Sequence, residues 1–165
     1  MLSDAIGSLL ALFLLRRDDP RPVYFSSPWM TDFPLFKNRF REHAALFPRL
    51  ADEDEIWFSD YLVRLAEDHE VRVLASNNQY SQAFLADKKL AAPNINARLA
   101  QGPYHEKGIL GPDVYVEGSM NITFRGVFIN KEKVTLHSGP DRSTLAKIAA
   151  ASFEFDSHWE NLNVP

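Results

Sequence analysis

The apolar residues of this chain form short runs that are separated by segments with helical spacing. Val23-Tyr24-Phe25 and Val71-Arg72-Val73-Leu74 alternate only weakly between apolar and polar positions, as strands do in a sheet that is covered on both faces. The chain is therefore predicted to run strand, helix, strand, helix, strand over residues 23–28, 61–69, 71–76, 81–92 and 95–101. Asp60 stands directly before the first of these helices, where an aspartate can cap the amino end. The pattern predicts an α/β fold.

The most apolar stretch, Ile6–Leu15, predicts an amino-terminal helix over about residues 5–16. It is too short to cross a hydrocarbon layer of about 30 Å, which needs roughly twenty residues. A signal peptide would carry basic residues before its apolar run, whereas here Asp4 precedes the run and Arg16 and Arg17 follow it. We expect a helix that packs on the domain or on a second subunit, and a peripheral membrane anchor is the alternative.

One group of residues indicates a chemistry. His105 and Lys107 are two apart in a predicted strand, so their side chains should point to the same face and converge on one anion. Ser119 and Asn121 follow a second strand-like run, behind the permissive Gly118, and add two neutral groups that suit phosphate oxygens. The set predicts a phosphoryl-transfer site without a metal.

These residues resemble the signature of the phospholipase D superfamily, which reads H-x-K, then an aspartate, then G-S-x-N. The predicted element order is similar to that of the superfamily's small single-motif nucleases, and residues 130–136 and 153–161 are similar to the family's following strand and closing aromatic helix. The resemblance implies one domain over residues 1–165, built on a phospholipase D-like mixed β-sheet that is flanked by helices on both faces. Relative to those nucleases, residues 34–55 are an insertion.

The resemblance also implies a two-step transfer. His105 attacks phosphorus while a second histidine protonates the leaving alcohol, and Lys107 and Asn121, assisted by Ser119, bind the non-bridging oxygens. The family needs two such motifs in one site, whereas this chain has one. A homodimer with a single composite site at its two-fold axis therefore follows from the resemblance.

The chain departs from the family signature at two acidic positions. The family aspartate stands five residues after the lysine, where this chain has Pro112, and the adjacent Asp113 is predicted to lie in a hairpin turn. The related nucleases also carry a glutamate two residues before the glycine, where this chain has Val116. Glu117, next to Gly118, should point to the opposite face of the strand and cannot simply take over that role. Asp113, Glu117 and Gly118 remain candidates for the pocket.

Two further candidates come from the segment after the first predicted strand, at the end of the sheet where ligands bind in α/β folds. Trp29 could stack on a base or form a wall of the pocket, and Asp32 could hold a catalytic side chain. A packed turn beside prolines is the alternative for both. The insertion adds the acidic run Asp52-Glu53-Asp54-Glu55, which we expect to be a solvated helix start, with a partner-docking surface as the alternative.

The other histidines have structural explanations. His69 is expected on the surface at a helix end, His158 is expected to be packed in the terminal helix, and His137 is the one that could also line the site. No histidine pair has the spacing of a zinc site and cysteine is absent, so we expect neither a metal nor another cofactor.

Charge limits how the chain could hold a polyanion. The net charge is −4, which is the wrong sign for binding nucleic acid by bulk attraction. A local basic patch or a partner protein would have to provide that attraction.

The expected function is a metal-independent phosphodiesterase, in the cytoplasm, that acts on DNA. A narrower resemblance, to the phospholipase D-like component of bacterial gene clusters that insert deazaguanines into DNA, implies a modification-restriction or defence system with larger subunits. A non-catalytic dimeric assembly subunit and a phospholipase are the alternatives.

Overall fold

The computed structural model describes residues 2–17 and 19–162. The strands are β1 (Val23–Ser27), β2 (Pro34–Lys37), β3 (Glu55–Trp57), β4 (Val71–Ser76), β5 (Ile95–Ala100), β6 (Gly108–Gly111), β7 (Val114–Gly118) and β8 (Val134–Ser138). The helices are α1 (Leu2–Leu15), α2 (Phe58–Leu65), α3 (Gln79–Leu85) and α4 (Arg142–Asn161). Six strands form the main sheet in the order β5-β4-β1-β6-β7-β8.

The main sheet is mixed. β1, β4 and β5 are parallel, whereas β6, β7 and β8 each run antiparallel to the strand before them in the sheet order. Ser26 of β1 pairs with Gly108, which in turn pairs with Glu117 of β7. The carboxyl ends of β1, β4, β5 and β7 therefore meet the amino end of β6 at one end of the sheet. We call this the upper end, and the opposite end, with the β6–β7 turn, the lower end.

One face of the sheet is covered by α1 and α2. The buried rings of Phe13, Phe25 and Tyr61 belong to one core cluster, and the Tyr61 hydroxyl donates to the carbonyl oxygen of Leu10 at 3.0 Å. A Cβ at Gly111 would lie 2.5 Å from the Phe13 ring, so a glycine in β6 lets α1 approach the sheet closely. α1 thus packs on its own chain, and none of the described helices is long and apolar enough to cross a membrane.

The position of His69 was predicted wrongly. The side chain is buried at 5% exposure, and its Nε2 atom lies 3.2 Å from the carbonyl oxygen of Phe13. The helix-end position is as expected, but α1 covers it and converts a surface histidine into a core residue.

The other face of the sheet is covered by α4. Its buried residues Phe155 and Trp159 pack with Tyr24 and Tyr115, which point from β1 and β7 to this side. Asp141 accepts a hydrogen bond from the backbone amide of Thr144 at 3.0 Å and so caps the start of the helix. Since α1 and α2 lie on the opposite face, the predicted sheet with helices on both faces is confirmed.

Residues 34–55, predicted above to be an insertion, begin with β2 and end at the start of β3, and these two strands pair antiparallel. The acidic run was wrongly predicted to start a helix, because 52–54 form the turn before β3 and Glu55 begins that strand. The side-chain amide of Asn38 donates to the backbone carbonyl oxygens of Leu50 and Ala51, before this turn, and of Glu53 within it. Asp60 is also not the N-cap; it lies inside the first turn of α2 and accepts from the amide of Trp57 at 3.2 Å.

Candidate active site

The loops at the upper end of the sheet enclose a cleft of about 270 Å³. Its lining comes from the ends of β1, β4, β5 and β7 and from the segment before β6: Pro28, Trp29, Ser76, Gly102, Pro103, Tyr104, His105, Lys107 and Asn121. Three of the four side chains predicted to be catalytic, His105, Lys107 and Asn121, are thereby brought together with Trp29. Ligand sites of α/β sheets lie at such strand ends.

His105 and Lys107 lie in an irregular segment, residues 103–107, and not in a strand as predicted. The ladder between β1 and β6 ends at the pair Ser26 and Gly108. Just beyond it, the Ser26 hydroxyl donates to the carbonyl oxygen of Glu106 at 3.2 Å and takes the place of a further ladder bond. The Lys107 ammonium donates to the carbonyl oxygen of His105 at 3.2 Å, so it is held beside the imidazole by backbone and not by a carboxylate.

Tyr104 fixes the segment in place. Its side chain is buried, and its hydroxyl lies 2.6 Å from that of Ser26. Burial raises the pKa of Tyr104 to about 12, so the phenol stays neutral. The Ser76 hydroxyl donates to the carbonyl oxygen of Tyr104 at 3.4 Å. A buried anchor is therefore followed directly by His105, which is exposed.

Ser27 positions Asn121. Its hydroxyl oxygen lies 2.7 Å from the carbonyl oxygen of Trp29 and 3.3 Å from the Oδ1 atom of Asn121, and the hydroxyl can donate to either acceptor. The same oxygen accepts from the amide of Ile122 at 3.0 Å, and Ile122 forms a parallel bridge with Met30. Because Ser27 engages Oδ1, the amide nitrogen of Asn121 is the atom left to donate to an anion in the cleft.

Trp29 stands at the mouth of the cleft and is 54% exposed. Its indole stacks on Tyr80 of α3, with the ring centroids 5.6 Å apart and the planes at 19°. Trp29 thus lines the cleft, which is the position that its pocket interpretation requires, and it does so together with an aromatic partner that the sequence reasoning missed.

Ser119 lies outside the cleft. Its hydroxyl donates to Glu132 and accepts from the backbone amide of Lys133 at 3.1 Å. Gly118 admits this contact, because a Cβ there would lie 2.1 Å from the Lys133 carbonyl oxygen. The motif serine and glycine therefore join β7 to the segment before β8 in this chain.

The three acidic candidates are not brought to the cleft. Asp32 accepts from the amide and the hydroxyl of Ser59 at 2.9 and 2.7 Å, so it caps α2. Asp113 lies in the predicted turn at the lower end of the sheet, where it pairs with Arg16 and Arg21. Glu117 accepts from His137 at 2.8 Å and from Lys147 at 3.3 Å, on the face that α4 covers. The hydrogen bond from His137 is the main cause that lowers the pKa of Glu117.

None of the other histidines lines the cleft. His137 is bound to Glu117, and His69 lies under α1. His158 packs edge-on against the Tyr104 ring at a centroid distance of 5.9 Å, as the packed interpretation predicts. His43 packs against Phe36 in residues 34–55, with the ring centroids 4.6 Å apart and the planes tilted by 33°.

Sequence reasoning also missed Glu132. Its carboxylate accepts from Ser119 and from the amide of Asn130 at 3.1 Å, and these two bonds lower its pKa. The ammonium of Lys107 lowers that pKa further, which places Glu132 within the electrostatic reach of the motif lysine.

Ser27 was also missed, although the sequence contained a signal for it. A serine that ends an apolar strand at the ligand-binding end of a sheet is a candidate positioning residue.

Comparison with known proteins agrees with this architecture. No protein-family model and no curated protein matches the chain. Among solved structures, the chain is similar to the phospholipase D family member Nuc from Salmonella typhimurium, with 13% identity, a TM-score of 0.61, and 96% of this chain and 89% of that chain covered. It is similar to NucT from Helicobacter pylori at 17% identity and a TM-score of 0.59, covering 99% and 92%.

A third similar structure is TrmBL2, an archaeal chromatin protein that binds DNA. It has 8% identity and a TM-score of 0.54, and the match covers 96% of this chain but 50% of that protein. The likeness to these structures shows the fold. This chain shares the fold of the phospholipase D family member Nuc, which confirms the predicted fold class.

Proposed function

We propose that the chain is a metal-independent phosphodiesterase that cleaves nucleic acid, with DNA as the expected substrate, through a phosphohistidine at His105. The observation that carries the proposal is the convergence of His105, Lys107 and Asn121 on one cleft at the upper end of a phospholipase D-like sheet. An imidazole, an ammonium and an amide donor are the groups needed to attack phosphorus and to bind its oxygens. The DNA binding of TrmBL2, a protein of similar fold, agrees with this substrate class.

The proposed reaction has two steps, formation of a phosphohistidine and its hydrolysis. The unprotonated His105 attacks phosphorus, and the bond to the leaving oxygen breaks as that oxygen takes a proton from an acid. Water then attacks the phosphohistidine and gives its proton to the same group, which regenerates the imidazole and releases a phosphomonoester. Lys107 and the Asn121 amide bind the non-bridging oxygens, where negative charge grows in both transition states.

The acid has to be a second group beside the cleft. None of the other four histidines lines the cleft: His137, His69, His158 and His43 contact Glu117, Phe13, Tyr104 and Phe36, respectively. A second copy of the chain, related by a two-fold axis near the cleft, would supply its own His105 to the same phosphate. A homodimer with one composite site is therefore part of the proposal.

Metal independence is tested together with the activity. Among the described residues, no group of three or more His, Asp or Glu side chains is arranged to hold a metal ion. We expect hydrolysis of single-stranded and duplex DNA, and of bis(4-nitrophenyl) phosphate, to continue in EDTA at an unchanged rate. Activity that EDTA abolishes and that magnesium or manganese restores would contradict the proposed chemistry.

A non-catalytic assembly subunit is the second candidate. Two observations favour it: the chain carries a net charge of −4, and Ser119 of the motif is bound to Glu132 and does not face the cleft. This candidate predicts a pure dimer that hydrolyses none of the three substrates. A place in a bacterial DNA modification-restriction or defence system, with larger subunits as partners, is compatible with both candidates.

A further inference from the structure

Trp29 and Tyr80 form an aromatic stack that is left largely in solvent beside the cleft. Trp29 is 54% exposed and Tyr80 is 47% exposed, although their rings lie 5.6 Å apart and nearly parallel. Large apolar rings gain most when they are buried. A stacked pair that remains half-exposed next to His105 and Lys107 therefore offers surface to a ligand.

The stack is not needed to hold its own loop. The carbonyl oxygen of Pro28, just before Trp29, accepts from the side-chain amide of Asn78 at 2.9 Å and from the amide of Ser76 at 3.3 Å. Just after it, Met30 is fully buried and its amide donates to Ser81 at 3.3 Å. Both neighbours of the tryptophan are thus fixed by buried or hydrogen-bonded contacts, and the indole is free to serve another purpose.

The aromatic pair is also fixed relative to the proposed catalytic groups. The hydroxyl of Ser27 contacts both the carbonyl oxygen of Trp29 and the side chain of Asn121. On the other side, Asn78 caps α3 and accepts from the amide of Tyr80 at 3.0 Å. A group that stacks on this pair would therefore have a defined position relative to an anion bound by Asn121 and Lys107.

Charge cannot provide the affinity in this region. Among the described residues, Lys107 is the one lysine or arginine that lines the cleft, Glu106 precedes it in the sequence, and the chain as a whole is acidic. Attraction to phosphates alone would be weak for such a surface. Stacking on an aromatic side chain is independent of net charge and is one of the main contributions to binding of single strands.

We infer that Trp29 and Tyr80 are a stacking subsite for one unpaired base next to the cleaved phosphate, so that the protein selects single-stranded nucleic acid over duplex. The inference rests on the proposed function for the identity of the phosphate. A base within a duplex is stacked on both faces and paired at its edge, so it has to leave the helix before it can reach the indole. An unpaired base has no such cost.

The test measures binding separately from hydrolysis. In a His105→Ala background, which prevents turnover, the affinity for a fluorescein-labelled oligothymidylate of about 12 nucleotides is measured by anisotropy. Trp29→Ala should weaken this binding by about tenfold to a hundredfold. It should leave binding of an abasic oligonucleotide of the same length unchanged within about twofold, because the abasic strand has the same phosphates and no bases.

Two variants serve as controls. Trp29→Phe keeps a ring and should recover most of the affinity, which also covers the case in which Trp29→Ala does not fold. Phe40→Ala removes an aromatic side chain that is 82% exposed and lies in the insertion, away from the cleft, and it should change neither measurement. A duplex of the same length should bind at least about tenfold more weakly than the single strand.

Equal losses on the thymidylate and the abasic strand, no loss at all, or equal affinity for duplex and single strand would each overturn the subsite. Failure of the proposed function gives a different result. In that case the protein with an intact His105 would bind the oligothymidylate in a Trp29-dependent way and would not cleave it.

Discussion

The two ends of the β6–β7 hairpin carry charged residues in very different settings. At the upper end, Lys107 and His105 form no salt bridge with any described residue, and the groups that hold them are neutral: the Ser26 hydroxyl and backbone carbonyls. At the lower end, Asp113 is paired within the chain to two arginines, Arg16 after α1 and Arg21 before β1. The ammonium of Lys107 at the upper end is therefore available to bind an anionic ligand, whereas Asp113 at the lower end is already paired within the chain.

The comparison also explains why Asp113 is not at the site although it follows the motif lysine. β6 spans only Gly108–Gly111, so a residue beyond it has already reached the opposite end of the sheet. Four residues of strand cover roughly 13 Å, which is too far for a carboxylate to contact His105 directly. Position in the sequence motif and position at the site are therefore separate properties, and mutations at the two ends should have separate effects.

The largest effect is expected from His105→Ala. Loss of a nucleophile should lower kcat by about a thousandfold or more. The melting temperature should not change, because the side chain is exposed. His43→Ala, in the insertion, is the matched control and should keep full activity. An activity of His105→Ala within tenfold of the unmodified protein would remove it from the nucleophilic role.

Asn121→Ala should have the next largest effect. The amide donates to an oxygen whose charge grows in the transition state, and removal of one such donor costs about a hundredfold in kcat. Ser119→Ala is the internal comparison: its hydroxyl is committed to Glu132, so we expect a loss of less than about tenfold. Steady-state kinetics on one substrate would compare the two variants. A larger loss for Ser119→Ala would show that the serine turns to the substrate.

The sequence could predict the elements that local pattern determines. The buried run Val71–Ser76 forms β4 at the predicted bounds, and the Gly-Pro-Asp turn at the lower end is where its residue types require it. His105, Lys107, Asn121 and Trp29 also come together, because the carboxyl ends of β1 and β7 and the amino end of the antiparallel strand β6 lie at one end of the sheet.

The errors arise from contacts between residues that are distant in the sequence. His105 and Lys107 leave the strand because Ser26, about eighty residues earlier, bonds to the backbone between them. α1, more than fifty residues earlier in the sequence, buries His69, and the carboxylate of Asp32 accepts a hydrogen bond from the hydroxyl of Ser59. Local propensity contains no information on such pairs, so the sequence could not predict which partners these side chains contact.

Mixing of subunits tests whether the upper end needs a second chain. If each dimer has one site that uses both copies of His105, a heterodimer with one His105→Ala chain should be nearly inactive. An equal mixture after subunit exchange should then show about a quarter of the activity of the same total of unmodified protein, and independent sites would leave about half. A monomer in sedimentation that still hydrolyses the substrate would rule out the composite site.

Asp32→Ala tests a residue near the upper end that serves the fold. Its carboxylate caps α2 through the amide of Ser59, so its loss should lower the free energy of unfolding by about 1 kcal/mol. Turnover per folded molecule should stay normal, because Asp32 makes no contact in the cleft. Urea unfolding together with an active-site titration separates the two quantities. Reduced turnover at unchanged stability would instead assign Asp32 to the site.

The smallest effect is expected at the lower end, from Asp113→Ala. Its carboxylate and the side chains of Arg16 and Arg21 are each about half exposed, so solvent screens their attraction. The free energy of unfolding should fall by at most about 1 kcal/mol, and this difference should shrink further in high salt. Activity should not change, although this aspartate stands closest in the sequence to the position that the family signature assigns to an acid. Kinetics and urea unfolding at low and high salt provide both measurements. A loss of turnover comparable to that of Asn121→Ala would mean that the lower end takes part in the reaction and that the contrast between the two ends is wrong.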